Sequence, residues 1–207
     1  MCIITYSEDS ETLEAKKRIV KTILILILPM AGFSQFTHLG LEAAYSSQVK
    51  EPGFGIQGIL RVNDEIKLTP NALYYLPHKI TTSLGWQEYK WWMVNLDGNY
   101  VIIDQGIFEG YGIMGLNFTN IAAERDETEL GQRFTDKVSK QKLGLNVGAG
   151  VRLNISDRIV PFGELRYTLG SKVDFTFSEV STSQFGIFAG ILIRISEDKD
   201  RTATEEF

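Results

Sequence analysis

The sequence predicts an all-β fold, an eight-stranded antiparallel up-and-down transmembrane β-barrel preceded by a signal peptide. Three observations predict this class. Apolar residues recur at every second position in eight segments, which is the spacing of a strand with two unlike faces. The connections between these segments alternate between long and short, as in membrane barrels. An apolar stretch near the amino terminus has the features of an export signal.

The composition bounds the class of protein. A chain of 207 residues suits one domain, and 19 glycines with 11% aromatic residues favour β structure. The net charge of −5 argues against a nucleic-acid partner, because phosphate backbones require a basic surface. One cysteine, Cys2, and two histidines, His38 and His78, give no disulfide framework and no Cys- or His-based metal site. We therefore predict no cofactor, no metal site and no catalytic residue.

The first element, residues 1–34, is predicted to be a secretory signal peptide with an atypical acidic amino-terminal extension. Lysines and an arginine in the stretch KKRIVK form its positive region, and Ile23–Leu28 begin its apolar region. Gly32 and Ser34 are small residues suited to cleavage before Gln35. A membrane anchor is the alternative, but the apolar run falls short of the roughly 20 residues that a spanning helix needs.

Residues 35–195 are predicted to form the barrel, and residues 196–207 a charged carboxy-terminal tail. The predicted strands lie near 36–45, 54–62, 66–76, 91–102, 109–119, 141–156, 160–169 and 183–195. The sixth is the most regular. Its sequence QKLGLNVGAGVRLNIS alternates Leu145, Val147 and Val151 with glycine, Asn146 and Arg152.

The connections follow in alternation. Short turns are predicted at Asn63-Asp64, Asp104-Gln105-Gly106 and Ser156-Asp157-Arg158, because these residue types favour turns. Long loops are predicted at 46–53, 77–90, 120–140 and 170–182. Membrane barrels place short turns at the periplasmic rim and long loops outside.

Alternation alone leaves open which face meets water, since a soluble β-sandwich or lipocalin-like barrel turns its apolar face inward. Export and the glycine-rich polar face favour the membrane barrel, because small residues fit an eight-stranded lumen. Aromatic residues near the strand ends also predict two interfacial girdles. One girdle would contain Tyr45, Phe54, Tyr74, Tyr89, Trp91, Trp92 and Phe118. The other would contain Phe36, Tyr100, Phe108, Tyr111 and Phe162.

Charged residues on the polar faces are predicted to form a salt-bridge network that fills the lumen, because buried charges are costly unless paired. The predicted members are Glu42, Arg61, Lys67, Asp97, Arg152, Glu164, Arg166 and Arg194.

The stretches LGLNVGAGVRLNISDRIVPFGELRYTLG and FGIFAGILIRI resemble the last three strands of the eight-stranded outer-membrane β-barrel family, which includes OmpX-like and OmpA transmembrane-domain-like proteins. The GFSQ cleavage site resembles exported proteins of Bacteroidetes-type bacteria. The resemblance implies the outer membrane of a Gram-negative bacterium, lipid and lipopolysaccharide as surroundings, and the barrel-assembly machinery as a partner during insertion. Family barrels often end in a terminal aromatic residue. Here about a dozen residues separate Ile195 from Phe207.

The predicted function is a structural or surface-interaction role, carried by long extracellular loops of a monomer without enzymatic activity. A lipid-modifying enzyme would need a nucleophile and a base, for which His38, or His78 with Ser83, are the candidates. The acidic pairs Glu124/Asp126 and Glu127/Glu129 could bind a cation that bridges lipopolysaccharide, although a solvated loop is the simpler interpretation. A soluble binder of an apolar ligand and a narrow channel are two further hypotheses.

Overall fold

The computed structural model describes residues 35–82, 85–129, 132–175 and 178–195. The predicted signal peptide, residues 1–34, and the predicted tail, residues 196–207, lie outside the described residues. In the described part of the chain, no helix has the length and hydropathy needed to cross a bilayer.

The described residues form ten strands in two sheets. Eight strands close into one barrel in the order β1-β10-β7-β6-β5-β4-β3-β2, and β8 pairs only with β9. The strands are β1 (Gln35–Ser46), β2 (Pro52–Arg61), β3 (Ile66–Thr82), β4 (Gly85–Asp104), β5 (Phe108–Glu129), β6 (Gln132–Leu153), β7 (Ile159–Leu169), β8 (Lys172–Phe175), β9 (Ser178–Ser181) and β10 (Gln184–Arg194).

The first and last barrel strands close the ring. β1 and β10 are antiparallel and pair from His38 opposite Arg194 to Ser46 opposite Gly186. Closure removes the free sheet edge, which hydrocarbon could not satisfy with hydrogen bonds. The predicted eight-stranded antiparallel barrel is therefore confirmed.

The predicted orientation of the two faces is also confirmed. Leu145, Val147 and Val151 are 54%, 43% and 38% exposed, whereas Asn146 and Arg152 are only 2% exposed. Oily side chains thus cover the outer wall and polar ones fill the interior. A soluble lipocalin-like barrel would show the opposite arrangement, so that hypothesis does not fit.

The three short turns lie where the sequence predicts them. Asn63 Oδ1 accepts hydrogen bonds from the backbone amides of Glu65 (3.0 Å) and Ile66 (2.6 Å), which fixes the β2–β3 turn. Gly106 adopts a φ of 75°, which glycine tolerates and which shapes the β4–β5 turn.

Two of the predicted long loops are strands. β3 continues to Thr82 and β4 resumes at Gly85, and β5 continues to Glu129 before β6 begins at Gln132. The loop predictions for 77–90 and 120–140 are therefore wrong. Residues 85–90 of β4 are all half-buried, so this stretch lacks the two-residue alternation of a strand with unlike faces, while its backbone pairing continues.

The extensions of β3, β4, β5 and β6 make one continuous piece of sheet, here called the protruding sheet. Its pairs run from His78 opposite Tyr89 to Thr82 opposite Gly85, and from Thr119 opposite Lys142 to Glu129 opposite Gln132. β7 pairs with β6 only from Leu145 toward the short turns. Among the described residues, no strand pairs with the outer side of β6 over residues 132–144.

Three aromatic residues assigned to the girdles face inward instead. Trp91, Tyr111 and Phe162 are buried, with exposures of 3%, 2% and 5%. Each is an even number of residues away from the lumen-facing residues of its strand. The pleat therefore directs its ring inward, although the residue lies near a strand end. Tyr45, Phe54, Tyr74, Trp92, Phe36 and Tyr100 are exposed on the outer wall.

The long-hairpin end of the lumen is closed by an apolar cluster, here called the apolar cap. The β8–β9 hairpin lies within predicted loop 170–182 and contributes Val173 and Phe175. On the exposed side of this hairpin, Lys172 donates a hydrogen bond of 2.6 Å to Glu179, which raises the pKa of the Lys172 amine. The buried members of the cap are Ala44, Val49, Leu73, Tyr75, Trp91, Met93, Ile121, Ala123, Val173, Phe175 and Phe188.

The lumenal glycines leave room for large neighbours, and this can be tested. A Cβ added at Gly150 would lie 2.6 Å from Tyr111 Cζ and 2.7 Å from Glu164 Cγ. We expect Gly150→Ala to lower the free energy of unfolding by about 1–3 kcal/mol through overpacking, measured by urea titration in lipid vesicles. Gly112→Ala is the control, because its Cβ would meet only Ile102 Cδ1 at 3.6 Å. Equal effects of the two changes would contradict the packing account.

Candidate functional site

The centre of the lumen contains one arginine among three carboxylates, here called the Arg166 cluster. β1 contributes Glu42, β4 contributes Asp97, and β7 contributes both Glu164 and Arg166. Arg166 Nε donates a hydrogen bond of 2.7 Å to Glu164 Oε2. Arg166 nitrogens also lie 3.3 Å from Asp97 Oδ2 and 3.8 Å from Glu42 Oε2. Three strands therefore meet at one guanidinium.

The Arg166 cluster is buried and holds more carboxyl groups than cations. Its four residues are at most 4% exposed. The Arg166 guanidinium also lies 4.3 Å from the ring centroid of Phe188 and donates to Gln57 Oε1 at 3.4 Å. Both Glu42 carboxyl oxygens lack a hydrogen-bond partner. Because one cation faces three carboxylates, Arg166 is the residue on which the cluster depends.

A band of asparagines continues the polar interior around the barrel. Asn117 Nδ2 donates to Asn95 Oδ1 at 2.6 Å, and Asn146 Nδ2 lies 2.9 Å from both Asn95 Oδ1 and Asp97 Oδ1. Thr168 Oγ1 in turn donates to Asn146 Oδ1 at 2.8 Å. The band follows directly from register, since Asn95 faces Asn117 across β4 and β5. These amides fix the position of Asp97 without adding charge.

A second ionic group, here called the Glu109 cluster, lies nearer the short turns. Arg152 Nη1 donates to Glu109 Oε1 at 2.6 Å, and Lys67 pairs with the other carboxyl oxygen. Tyr111 joins the two clusters: its ring centroid lies 3.9 Å from Arg152 Cζ and its hydroxyl donates to Glu164 Oε1 at 2.6 Å.

Beyond the Glu109 cluster, the short-turn end of the lumen contains a cavity of about 320 Å³, here called the short-turn cavity. This is the periplasmic end in bacterial outer-membrane barrels. Its wall consists of Thr37, His38, Ile59, Arg61, Asp64, Lys67, Asp104, Glu109, Arg152, Asn154, Val160 and Arg194. The Arg166 cluster and the apolar cap occupy the described lumen on its far side. This filling favours a packed barrel over a narrow channel.

The eight charges predicted to form the lumenal network fall into different places. Glu42, Asp97, Glu164 and Arg166 meet in the central cluster. Lys67 and Arg152 meet at Glu109.

The remaining two predicted members, Arg61 and Arg194, line the short-turn cavity. Arg61 pairs with Asp64 in the β2–β3 turn, with a side chain that is 25% exposed. Arg194 Nε lies 3.4 Å from His38 Nε2. Six of the eight predicted members therefore meet in the two clusters, and the two remaining arginines line the short-turn end of the lumen.

The network predicted from the sequence does not include Glu109. Tyr111 and the asparagine band were also missed. Parity along β5 puts Glu109, Tyr111 and Asn117 on one face, so alternation could have found them. Their pairing with β4 and β6 depends on register, which the sequence does not specify.

Within the described ranges, the two histidines considered for catalysis have a carboxylate and a threonine hydroxyl as hydrogen-bond partners. His78 Nδ1 lies 2.8 Å from Glu51 Oε1, and His38 Nδ1 lies 2.9 Å from Thr37 Oγ1. Within the described ranges, neither histidine hydrogen-bonds a serine, and Ser83 lies outside the described residues.

The acidic segment considered for cation binding lies on a strand. Glu124 and Asp126 belong to β5, and Lys90 lies 3.7 Å from Glu124. The side chains of Glu127 and Glu129 lie outside the described part. In the portion of the chain that the structure covers, no group of three or more His, Cys, Asp or Glu residues could hold a metal ion.

Comparison with known proteins gives structural matches only. No family model and no curated protein matches the sequence. A major outer membrane protein from Thermus thermophilus aligns with a TM-score of 0.56 and 10% identity, covering 77% of this chain and 100% of that one. Neisserial surface protein A aligns with a TM-score of 0.52 and 14% identity, covering 77% and 96%. At these identities the matches establish the fold, which is that of an outer-membrane β-barrel, and they agree with the predicted outer-membrane location.

Proposed function

We propose that this protein is a non-enzymatic outer-membrane β-barrel that binds a protein partner through the protruding sheet. The observation that carries the proposal is the outer side of β6. Residues 132–144 pair with β5 on one side and with no described strand on the other. An unpaired row of backbone N–H and C=O groups is a template for an added strand.

The exposed edge carries a charge that favours one kind of partner. Lys137, Lys140 and Lys142 lie on this part of β6, and the described side chains there include one acid, Asp136. We infer that the partner contributes an extended acidic segment. Lysines on an edge strand also discourage pairing between two copies of one chain, which supports the proposed monomer.

The remaining partners follow from the fold. We propose that membrane lipid and lipopolysaccharide contact the oily outer wall, and that the barrel-assembly machinery inserts the chain. The rigid barrel holds the protruding sheet away from the membrane surface, as scaffolds commonly present binding segments. Neisserial surface protein A, which has a similar fold, is by its name a surface protein.

The proposal is tested by selecting peptides that bind the intact protein and then measuring their binding to a variant with a shortened β5–β6 hairpin. Ile121 and Lys140 are direct partners, so replacing residues 122–139 with Asn-Gly should close a two-residue turn while keeping the barrel. Peptides selected on the intact protein should be acidic, and we expect the shortened protein to lose binding by at least about tenfold. Fluorescence anisotropy with the selected peptides measures this.

The matched control shortens the neighbouring hairpin. Lys79 and Glu88 are direct partners, so replacing residues 80–87 with Asn-Gly removes the tip of β3–β4 and leaves the β6 edge. Binding should persist in this control. Selected peptides that bind equally well after loss of residues 122–139 would contradict the proposal.

A further inference from the structure

The short-turn cavity collects cationic side chains from four different strands. β2, β3, β6 and β10 contribute Arg61, Lys67, Arg152 and Arg194 to its wall. The wall also holds three carboxylates, Asp64, Asp104 and Glu109. With His38 counted as neutral, four cations less three anions leave the cavity with one net positive charge.

Hydrogen-bond donors in this cavity remain unused. Arg152 is 2% exposed, and within the described residues its Nε and Nη2 atoms have no hydrogen-bond partner. Its Nη1 donates to Glu109 Oε1, and its guanidinium lies against the Tyr111 ring. Within the described residues, no carboxylate pairs with Arg194, whose side chain reaches only His38, at 3.4 Å. Arg152 therefore holds buried N–H donors without an acceptor beside the cavity, and Arg194 lines the same wall with no carboxylate partner among the described residues.

We propose that the short-turn cavity binds a phosphate group carrying one negative charge. A guanidinium presents a planar fork of donors that matches phosphate oxygens, and one such group would neutralise the cavity. The phosphate could be free in the periplasm or belong to a phospholipid headgroup at the inner rim of the barrel. This site lies at the opposite end of the lumen from the protruding sheet and does not depend on the proposed function.

Titration of the intact protein with inorganic phosphate tests the site. The protein is purified in a phosphate-free nonionic detergent, and the Nε–H signals of its arginines are followed by NMR. We expect saturable shifts of the Arg152 and Arg194 signals. Arg194→Gln removes one charged donor and leaves the Arg152–Glu109 pair in place, so it should weaken phosphate binding about tenfold.

Arg158→Gln is the matched control, because Arg158 is exposed at the same end of the barrel and does not line the cavity. It should bind phosphate like the unchanged protein. A second titration uses glycerophosphoethanolamine, a soluble phosphodiester headgroup. Tighter binding of the phosphodiester would assign the site to lipid, and tighter binding of inorganic phosphate would assign it to free phosphate. Unshifted arginine signals, or equal weakening by the two substitutions, would overturn the proposal.

Discussion

Replacing Arg166 by methionine is expected to lower the free energy of unfolding by about 3–5 kcal/mol, because it leaves buried carboxylates without their cation. Glu42, Asp97 and Glu164 all lie within 4 Å of this guanidinium. Urea unfolding in lipid vesicles, followed by tryptophan fluorescence and by the mobility of unboiled protein on gels, measures the loss. Arg158→Met, at an exposed turn position, should change stability little.

A double substitution separates the charge effect from lost packing. Methionine keeps an unbranched apolar side chain against Phe188, so Arg166→Met removes mainly the charge. Adding Glu164→Gln should recover part of the lost stability, because one fewer buried carboxylate then lacks a partner. A loss below about 1 kcal/mol for the single change, with no recovery in the double, would show that the cluster does not stabilise the barrel.

Val147→Arg is expected to lower the free energy of unfolding by about 2–4 kcal/mol. Its side chain lies on the lipid-facing wall, within the part of β6 that pairs with β7. Val147 pairs with Met114 on β5 and Tyr167 on β7, so it sits within the closed part of the barrel. The same urea titration in vesicles measures the effect.

Thr135→Arg is the matched control on the same strand. Thr135 is exposed on β6 beyond the closed barrel, where arginine meets water instead of hydrocarbon. This change should cost little. If both substitutions were equally tolerated, the outer wall at Val147 would not be in contact with lipid.

Arg166→Met and Val147→Arg test opposite faces of the barrel wall, the lumenal face and the lipid-facing one. Val147 and Asn146 are neighbours in sequence, yet one side chain faces out and the other is buried. We therefore expect the stability of the barrel to depend on charged side chains facing the lumen and apolar side chains facing the lipid. The same alternation supports both expectations and links the lipid surface to the Arg166 cluster.

The barrel strands could be predicted because each carries a local signal. Leu145, Val147 and Val151 alternate with small or polar residues, and this period is readable without any partner strand. Turns such as Asn63-Asp64 also carry their signal in residue type. The signal fades in the hairpin extension at residues 85–90, because every side chain there is half-buried and the two faces do not differ in burial.

Side chains near strand ends were harder to assign. Trp91 and Trp92 are adjacent, and their residue type and position near a strand end predict that both belong to a girdle. Because of the pleat, the Trp91 side chain faces inward and only Trp92 is exposed on the outer wall. Likewise Arg61 and Arg194 share the parity of the lumenal charges but lie at the short-turn rim. Position along the strand decides whether such a residue meets a partner, a cavity or water.

By itself, the sequence determined the number of barrel strands, the alternation of faces and the membrane-barrel class, because these depend on local periodicity. Only the tertiary structure decided which charges meet, since Glu42, Asp97 and Arg166 come from strands distant in the chain and are brought together by closure and register. It also decided that two predicted loops are strands and that an apolar cap fills one end of the lumen. Those features depend on pairing between backbones and on packing across the barrel, which no single segment encodes.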